Sequence, residues 1–298
     1  MIVVKLQGGL GNQMFQYAFA KHLALKNKTD LKLDLRFLLD RKPIENVVFR
    51  DFDLDIFKIQ SLDIANDYEM DLFDEEIQQN WIKRIIKKIL KREVSHLSEK
   101  NFYFTKSCFL RSRFIYVEGF FQSEKYFKKI EKKLRQEFTF KHSLTKFELE
   151  LKNKIVATNS VCVNFRRSDF VELKSSKDTH GFVGLDYYGE AIKIIESKIQ
   201  NPHFYVFSDD IEWCENNFKV DFPITYVSHE YKGYKFSTYL QLMSSCKHFI
   251  IPNSTFGWWA AWLSNNPNKI VIAPRKWFNN QELQKQTFDL YPKNWISI

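Results

Sequence analysis

Glycine and proline are scarce in this sequence, with nine Gly and seven Pro among 298 residues. That scarcity excludes collagen-like and low-complexity chains. Long apolar runs are also missing, because none approaches the ~20 residues that a membrane-spanning helix needs. The N-terminal run Ile2-Val3-Val4 is far shorter than the apolar region of a signal peptide. We therefore expect a globular protein of the cytoplasm.

Cysteine is sparse and carries no metal-binding pattern. The four cysteines, at positions 108, 162, 214 and 246, form no CxxC pair and have no His at zinc-finger spacing. Cys162 and Cys246 lie in apolar surroundings, which predicts small core residues. The pattern favours a reducing compartment.

The net charge of +9 is concentrated in one segment. Residues 81–92, which begin at Trp81 and end at Arg92, read WIKRIIKKILKR and carry six basic side chains. Their apolar residues recur at helical spacing, which predicts a basic amphipathic helix. Such a helix suits an anionic membrane surface or a core helix with a solvated basic face, and both readings stay open. We expect no nucleic-acid partner, because no motif for one occurs.

The first forty residues predict a β-α-β start. Residues 2–6 are apolar and β-rich, residues 8–11 form a glycine turn, and residues 31–35 alternate as a strand does. Between them, Asn12 is expected to cap a helix over residues 13–25.

The next hundred residues are less regular. Residues 40–113 predict a helical or loop-rich insertion, 114–117 a strand and 123–137 a charged surface helix. The charged stretch 138–159 is the candidate domain boundary. We place one domain at 1–150 and a second at 151–298.

The second domain shows regular alternation of strands and helices. Alternation of this kind predicts a parallel α/β sheet with ligands beyond the carboxyl ends of its strands. The predicted strands are 161–165, 203–207, 224–227, 248–251 and 269–273, and the predicted helices include 186–198, 234–245 and 256–264.

The glycine loop that follows the first strand reads Gly8-Gly9-x-Gly11-Asn12-Gln13. Glycines let backbone approach a ligand closely, and a helix N-terminus favours anions. The spacing differs from the dinucleotide fingerprint GxGxxG, so no nicotinamide site is expected. A plain tight β-α turn is the alternative.

Two arginines follow the strand VCVNF. One of them can bind a diphosphate bidentately while the other pairs with Asp169. The alternative is a structural Arg–Asp pair, which fits Arg167 better than Arg166.

Two aspartates follow the strand HFYVF. Asp209 and Asp210 could hold a metal, accept hydrogen bonds from a ligand, or, for Asp210, cap the next helix. The other acidic pair, Asp53 and Asp55, predicts only the polar side of a short element. We expect no metal site.

A third anion-binding turn follows the strand HFII. Ser254 and Thr255 open a helix there and present hydroxyl and backbone donors to a phosphate. The tryptophans behind them, at 258, 259 and 262, predict core residues. With the glycine loop and the arginine pair, this turn predicts a phosphorylated ligand in a cleft between two α/β domains.

Several ordered motifs resemble glycosyltransferase family 11, the α-1,2-fucosyltransferases. They are GGLGNQMFQYA (8–18), GFFQSEKYF (119–127), the RRxD segment at 166, FSDDIEWC (207–214), LMSSCKHFIIPNSTFGWWAAWL (242–263) and KIVIAPRKWF (269–278). The resemblance implies a GT-B fold of two Rossmann-like domains facing across a cleft, with the acceptor side at 1–150 and the nucleotide-sugar side at 151–298. It also implies GDP-β-L-fucose as donor, a terminal galactoside as acceptor, inversion of configuration and no cofactor or required metal.

The resemblance also implies roles for individual residues. Arg166 would grip the β-phosphate and stabilise departing GDP. Asn12 and the glycine loop would support the same diphosphate or the fucose. The remaining donor-side positions are Gly9, Gly11, Asn164, Asp209, Ser254, Thr255 and Phe256.

Two positions depart from the family pattern. Asn164 stands where the family usually has His, and Tyr239 stands where it usually has an acid that reads guanine. Asp209 is then a candidate for reading the base. The departures leave two alternatives open: a GT-B transferase that uses another nucleotide sugar, and a non-catalytic nucleotide-sugar-binding protein.

A catalytic base for the acceptor hydroxyl is not singled out. The candidates are Asp34, Glu118, Asp169 and His22, and a dissociative path needs no strong base. A core position is the alternative for His22. The basic segment 81–92 would bring the enzyme to a lipid-linked glycan at the inner membrane face.

Overall fold

The computed structural model describes residues 1–42, 49–73, 94–167, 181 and 183–298. The chain divides into two compact units. Unit 1 comprises Met1–Thr139 with Phe288–Leu290, and unit 2 comprises Phe140–Thr287 with Tyr291–Ile298. The boundary lies before the helix Lys146–Ala157, whose buried Leu151 and Ile155 belong to unit 2. A split at 150/151 would cut this helix.

Unit 1 contains a parallel sheet. Its described strands are β1 (Ile2–Lys5), β2 (Leu31–Asp34), β3 (Val94–Ser98) and β4 (Phe114–Glu118). They lie in the order β2-β1-β4-β3. In the register, Val4 of β1 lies opposite Leu33 and Val117. The carboxyl ends therefore meet at one edge, where the glycine loop also begins.

The glycine loop leads into the helix Leu10–Asn27, which starts earlier than predicted. Gly9 occupies the N-cap, and no side chain caps the helix. The prediction of Asn12 as the cap is wrong, because the backbone N–H groups of Asn12 and Gln13 already donate to Gly9 O at 2.9 and 3.1 Å. Asn12 thus lies in the first turn, where its side chain can serve another purpose.

Helices elsewhere in unit 1 are short. The described ones are Arg36–Leu39, Asp67–Met70 and Glu131–Glu137, with 3-10 turns at Leu54–Ile56, Lys106–Cys108, Glu124–Tyr126 and Lys128–Ile130. The predicted surface helix at 123–137 is thus two tight turns and a two-turn helix, because Tyr126, Phe127 and Leu134 are buried in the core.

The predicted insertion at 40–113 contributes β3 to the sheet. This strand was not predicted, because its sequence VSHLS has only two apolar residues and alternates weakly. The basic segment 81–92 lies outside the described residues, so its predicted helix stays a prediction. No helix in the described ranges has the length and apolar character to cross a bilayer.

Unit 2 contains the predicted parallel α/β sheet. Its described strands are β5 (Asn159–Phe165), β6 (Pro202–Ser208), β7 (Ile224–Tyr226), β8 (His248–Ile250), β9 (Val271–Ala273) and β10 (Ile296–Ser297). They lie in the order β10-β9-β8-β5-β6-β7, all parallel. The two-residue β10 was not predicted. Central β5 has β6 and β8 as neighbours, so the turns after these three strands meet.

Helices of unit 2 follow its strands. Besides Lys146–Ala157, the described ones are Leu185–Glu196, Ile211–Asn217, Ser237–Ser244, Thr255–Leu263 and Gln281–Gln284. Trp258, Trp259 and Trp262 are buried, which confirms the prediction of core residues. All four cysteines are also buried, and none forms a disulfide.

Close packing links β5 to the helix that follows β8. A Cβ atom on Gly257 would lie 2.7 Å from Asn164 Oδ1 and 3.3 Å from the Cβ of Ile251. The Asn164 side chain is buried, and its Nδ2 donates to Phe207 O at 3.2 Å. The helix can therefore approach β5 only with glycine at this position.

We predict that Gly257→Ala destabilises the protein by about 1–3 kcal/mol, because the added methyl group overpacks a buried contact. Gly189 is the matched control, since it is also helical and a Cβ there would meet nothing within 4 Å. Gly189→Ala should stabilise by about 0.5–1 kcal/mol. Equilibrium denaturation of both variants checks this, and equal effects would contradict it.

Candidate functional site

Arg166 follows β5 and meets the end of β6. Its Nε lies 3.5 Å from Asp209 Oδ2, and its side chain is 30% exposed. A partly exposed arginine at a strand end can reach an anionic ligand, since its planar donors match a phosphate. Arg166 thus lies at the carboxyl end of β5 beside Asp209, and its diphosphate contact stays a prediction.

Arg167 is held in place by two neighbouring side chains. Its Nε donates to Asp210 Oδ2 at 3.2 Å, and its guanidinium carbon lies 3.5 Å from the centroid of the Trp213 ring. Its side chain is 15% exposed, half the value for Arg166. The structural pair that sequence analysis favoured for Arg167 is present, with Asp210 as the partner. Asp169 lies outside the described residues.

The two aspartates after β6 hold this turn in place. Asp209 Oδ1 accepts the backbone N–H of Arg167 at 2.8 Å, and its Oδ2 faces Arg166. Asp210 Oδ1 accepts from Trp213 N at 3.2 Å, which confirms its interpretation as a helix cap. Both carboxylates are thus engaged by arginines, an arrangement that differs from a carboxylate pair open to a metal ion.

Tyr239 is a core residue. It is 3% exposed, its hydroxyl donates to Val227 O at 2.7 Å, and its ring packs edge-on against Phe207. Burial raises the pKa of Tyr239 far above its usual range. The hydroxyl is thereby committed to the backbone, and Asp209 stays the predicted reader of the base.

Asn164 joins three elements at the end of β5. Its Nδ2 donates to Phe207 O, its backbone oxygen accepts from Tyr188 Oη at 2.9 Å, and its Oδ1 faces Gly257. At 7% exposure, the side chain is a packed link between β5, β6 and the helix that opens after β8.

That helix, Thr255–Leu263, presents its N-terminus beside Asn164. Ser254 at the N-cap has extended backbone, its side chain makes no cap hydrogen bond, and the first turn carries no acidic residue. The positive end of the helix is therefore not neutralised by its own side chains. Ser254, Thr255 and Phe256 form this N-terminus, and their anion-binding role stays a prediction.

The glycine loop of unit 1 is shaped by Gln13. Its buried side chain donates to Gly8 O at 2.9 Å and Asp51 O at 2.8 Å and accepts from Asp53 N at 2.8 Å. Gly8 has φ +76°, and a Cβ there would lie 2.4 Å from Asn12 Nδ2. The loop thus needs glycine to bring its backbone beside Asn12.

Three of the four candidate bases lie in the described part of unit 1. Asp34 Oδ2 accepts from Arg36 Nη2 at 2.9 Å and from Tyr116 Oη at 2.8 Å. Burial raises the pKa of Asp34, but the hydrogen bonds from Arg36 and Tyr116 outweigh burial and hold the pKa below its usual range. A carboxylate so fully engaged is a poor proton acceptor.

His22 and Glu118 differ in how far their side chains are exposed to solvent. His22 is 9% exposed, its Nδ1 donates to Tyr126 O at 2.6 Å, and burial lowers its pKa. Glu118 ends β4, pairs with Lys5 Nζ at 2.6 Å and keeps a side chain that is 43% exposed. Among the described candidates, the geometry favours Glu118.

Glu99, which follows β3, was not among the predicted site residues. Its carboxylate accepts the backbone N–H of Phe120 at 2.7 Å and of Phe121 at 3.0 Å. Burial raises the pKa of Glu99 from 4.5 to about 7, although the two hydrogen bonds lower it. The available signal was an acidic residue directly after a strand, but that strand itself had escaped prediction.

Known proteins resemble this chain along its whole length. The profile of the family described as Glycosyl transferase family 11 matches residues 1–298. The Alpha-1,2-colitosyltransferase of Escherichia coli is 35% identical over 300 residues, which cover 100% of this chain and 99% of that protein. The O-antigen biosynthesis glycosyltransferase WbnK of Escherichia coli is 32% identical over 314 residues, with 98% and 99% covered.

Human Galactoside alpha-(1,2)-fucosyltransferase 1 is 26% identical over 164 residues, which cover 52% of this chain and 44% of that protein. Among solved structures, the α-1,6-fucosyltransferase NodZ co-crystallised with GDP has a TM-score of 0.50 at 13% identity and covers 91% of this chain and 94% of that one. At this identity the likeness concerns the fold alone. The α/β prediction of GT-B type is confirmed.

We predict that Glu99 makes stability fall as pH rises from 4.5 to about 7, because the folded state holds the proton to a higher pH than the unfolded state does. The loss is at most about 3 kcal/mol for a shift of this size. Equilibrium denaturation of Glu99→Gln should lack this pH-dependent loss. The exposed Glu196, changed to Gln, is the control; a parallel pH profile for wild type and Glu99→Gln would contradict the assignment.

Proposed function

The chain belongs to glycosyltransferase family 11, and we propose that it is an inverting galactoside α-1,2-L-fucosyltransferase. It would transfer fucose from GDP-β-L-fucose to the 2-hydroxyl of a terminal galactose in a surface glycan. The observation that carries the proposal is that the partly exposed Arg166 and the uncapped helix N-terminus at Ser254 follow two neighbouring strands, β5 and β8. Both features suit the leaving diphosphate.

In this reaction the bond between fucose C1 and the diphosphate oxygen breaks as the galactose oxygen bonds to C1. Negative charge grows on the β-phosphate while positive charge grows on the sugar. Arg166 and the first-turn N–H groups after Ser254 would stabilise the phosphate charge, which is the largest electrostatic demand of the step. The acceptor proton would pass to Glu118 or, along a dissociative path, to the departing phosphate.

We propose that transfer needs no metal ion. The carboxylates of Asp209 and Asp210, the pair best placed to hold a cation, are engaged by Arg166 and Arg167. A cation there would have to compete with two guanidinium groups. The arginine itself supplies positive charge at the diphosphate.

A second candidate donor is GDP-colitose. The Escherichia coli colitosyltransferase matches this chain end to end, whereas the human fucosyltransferase matches about half of it. Colitose is fucose without its 3-hydroxyl, so the two donors share the diphosphate contacts. A non-catalytic binding role is disfavoured, since Arg166 and the turn after β8 keep the geometry for charge stabilisation.

We also propose peripheral contact with the inner membrane face through residues 81–92. The six basic side chains of this segment motivate the proposal, each worth ~1 kcal/mol near an anionic surface. Changing Lys83, Lys87 and Lys91 together to Glu should abolish sedimentation with anionic vesicles and leave transfer to a soluble galactoside intact. Failure of the wild type to bind such vesicles at low salt would refute the proposal.

The function is tested by a donor screen with lactose as acceptor. GDP-fucose, GDP-colitose, GDP-mannose and UDP-galactose are compared, each with and without EDTA. We expect product from GDP-fucose with no loss in EDTA. A preference for GDP-colitose would select the second candidate, and activity restored only by Mg²⁺ or Mn²⁺ would refute metal-free transfer.

We predict that Arg166→Ala lowers kcat by about 100-fold or more, because it removes a charge that acts mainly in the transition state. Arg166→Lys should recover part of the loss. Arg275→Ala is the control, since that side chain is exposed and lies on another loop of unit 2. Near-normal turnover of folded Arg166→Ala would show that another group stabilises the leaving group.

A further inference from the structure

Two buried glutamines of unit 1 each keep one amide atom without a hydrogen-bond partner among the described residues. They are Gln16, 0% exposed, at its Nε2, and Gln122, 6% exposed, at its Oε1. A buried polar atom without a partner costs about 1–3 kcal/mol. Gln13, also 0% exposed, shows the contrast, because both of its amide atoms are bonded.

Both unpartnered atoms flank the glycine loop. Gln122 ends the turn that Glu99 holds through the backbone of Phe120 and Phe121, directly after β4. Its Nε2 donates to Asn12 Oδ1 at 3.0 Å. Gln16 lies one helical turn after Asn12 on the same face, and its Oε1 accepts from Gln7 N at 3.1 Å.

The bonded amides of Asn12 and Gln122, here termed the amide pair, have a defined chemical preference. With one hydrogen bond between them, the pair keeps one acceptor atom, Gln122 Oε1, and one donor atom, Asn12 Nδ2, for a further bond. Exchanging O and N in both amides leaves the same pattern of one acceptor and one donor. A hydroxyl group satisfies both atoms, since it donates and accepts. A phosphate oxygen only accepts, so it would face the amide oxygen with like polarity.

We propose that the amide pair binds a sugar hydroxyl and not the diphosphate, with Gln122 as a substrate-binding residue. The inference rests on the proposed function and selects between the two ligands expected for the glycine loop. The hydroxyl belongs either to the sugar of the donor or to the galactoside acceptor. Because Gln122 is buried, its hydrogen bond to the hydroxyl would be shielded from water. Loss of that bond would then cost binding free energy.

The test compares Gln122→Met, which removes both polar atoms, with Gln122→Glu, which keeps the acceptor and adds negative charge. Gln60→Met is the matched control, because Gln60 is exposed in the same unit. Calorimetry gives the Kd of GDP and of GDP-fucose, and initial rates give the KM of lactose. Thermal melting establishes that each variant is folded.

For Gln122→Met we expect the Kd of GDP to stay within about twofold of wild type, because GDP carries no sugar to be bound by the pair. If the bound hydroxyl belongs to the donor sugar, the substitution should raise the Kd of GDP-fucose about tenfold. If it belongs to the acceptor, the substitution should raise the KM of lactose about tenfold. Gln122→Glu should likewise leave GDP binding unchanged.

The inference is overturned if either variant weakens GDP and GDP-fucose alike, which would assign the pair to the diphosphate. It is also overturned if folded Gln122→Met leaves both sugar-dependent constants within twofold of wild type. Failure of the proposed function has a different signature, namely that wild type transfers no sugar in the donor screen. In that case the Kd of lactose, measured by calorimetry with GDP bound, replaces its KM, so the donor and acceptor arms both still decide the role of the pair.

Discussion

The pairing of two arginines after β5 with two aspartates after β6 is the interaction on which the candidate donor site depends. Four charges at the edge of a sheet are tolerable only when they neutralise one another or meet solvent and ligand. Arg167 is held between Asp210 and Trp213. Asp209 fixes the Arg167 backbone, and Arg166 extends from the same turn. Removing an aspartate would therefore disturb the arginine that we propose stabilises the leaving group.

A second constraint acts in unit 1, where buried side chains rather than ion pairs shape the loops. Gln13 ties the glycine loop to residues 51 and 53, and Glu99 ties the turn after β4. Both side chains bond backbone groups, so they define the shape of the loops and leave the amides of Asn12 and Gln122 to bond each other. The side-chain amides of Gln122 and Asn12 are thereby held together by a hydrogen bond. In our proposal this pair gives the glycine loop a preference for a sugar hydroxyl, which its glycines alone do not have.

Much of the donor side could be predicted from sequence because parallel strands bring their carboxyl ends together. Once residues 161–165, 203–207 and 248–251 are interpreted as strands, Arg166, Asp209 and Ser254 must lie at one edge of the sheet. Helical spacing likewise predicted the buried tryptophans, and the position of Asp210 directly before a helix predicted its cap. Local pattern was not enough everywhere. It failed at Asn12, since the cap depends on which backbone N–H groups the loop already satisfies, and at β3, whose few apolar residues find their place only beside β4.

By itself, the sequence determined the family, the α/β class and the residue types that meet an anion, since motifs and strand periodicity are local properties. Only the tertiary structure decided that Arg167 is the arginine held in a structural ion pair. It also showed that the Tyr239 hydroxyl donates to Val227 O and that the Asp34 carboxylate accepts hydrogen bonds from Arg36 and Tyr116. It also revealed Glu99 and Gln122. These outcomes depend on partners distant in the chain, and the burial and hydrogen bonding of a polar group are set by those partners rather than by its neighbours in sequence.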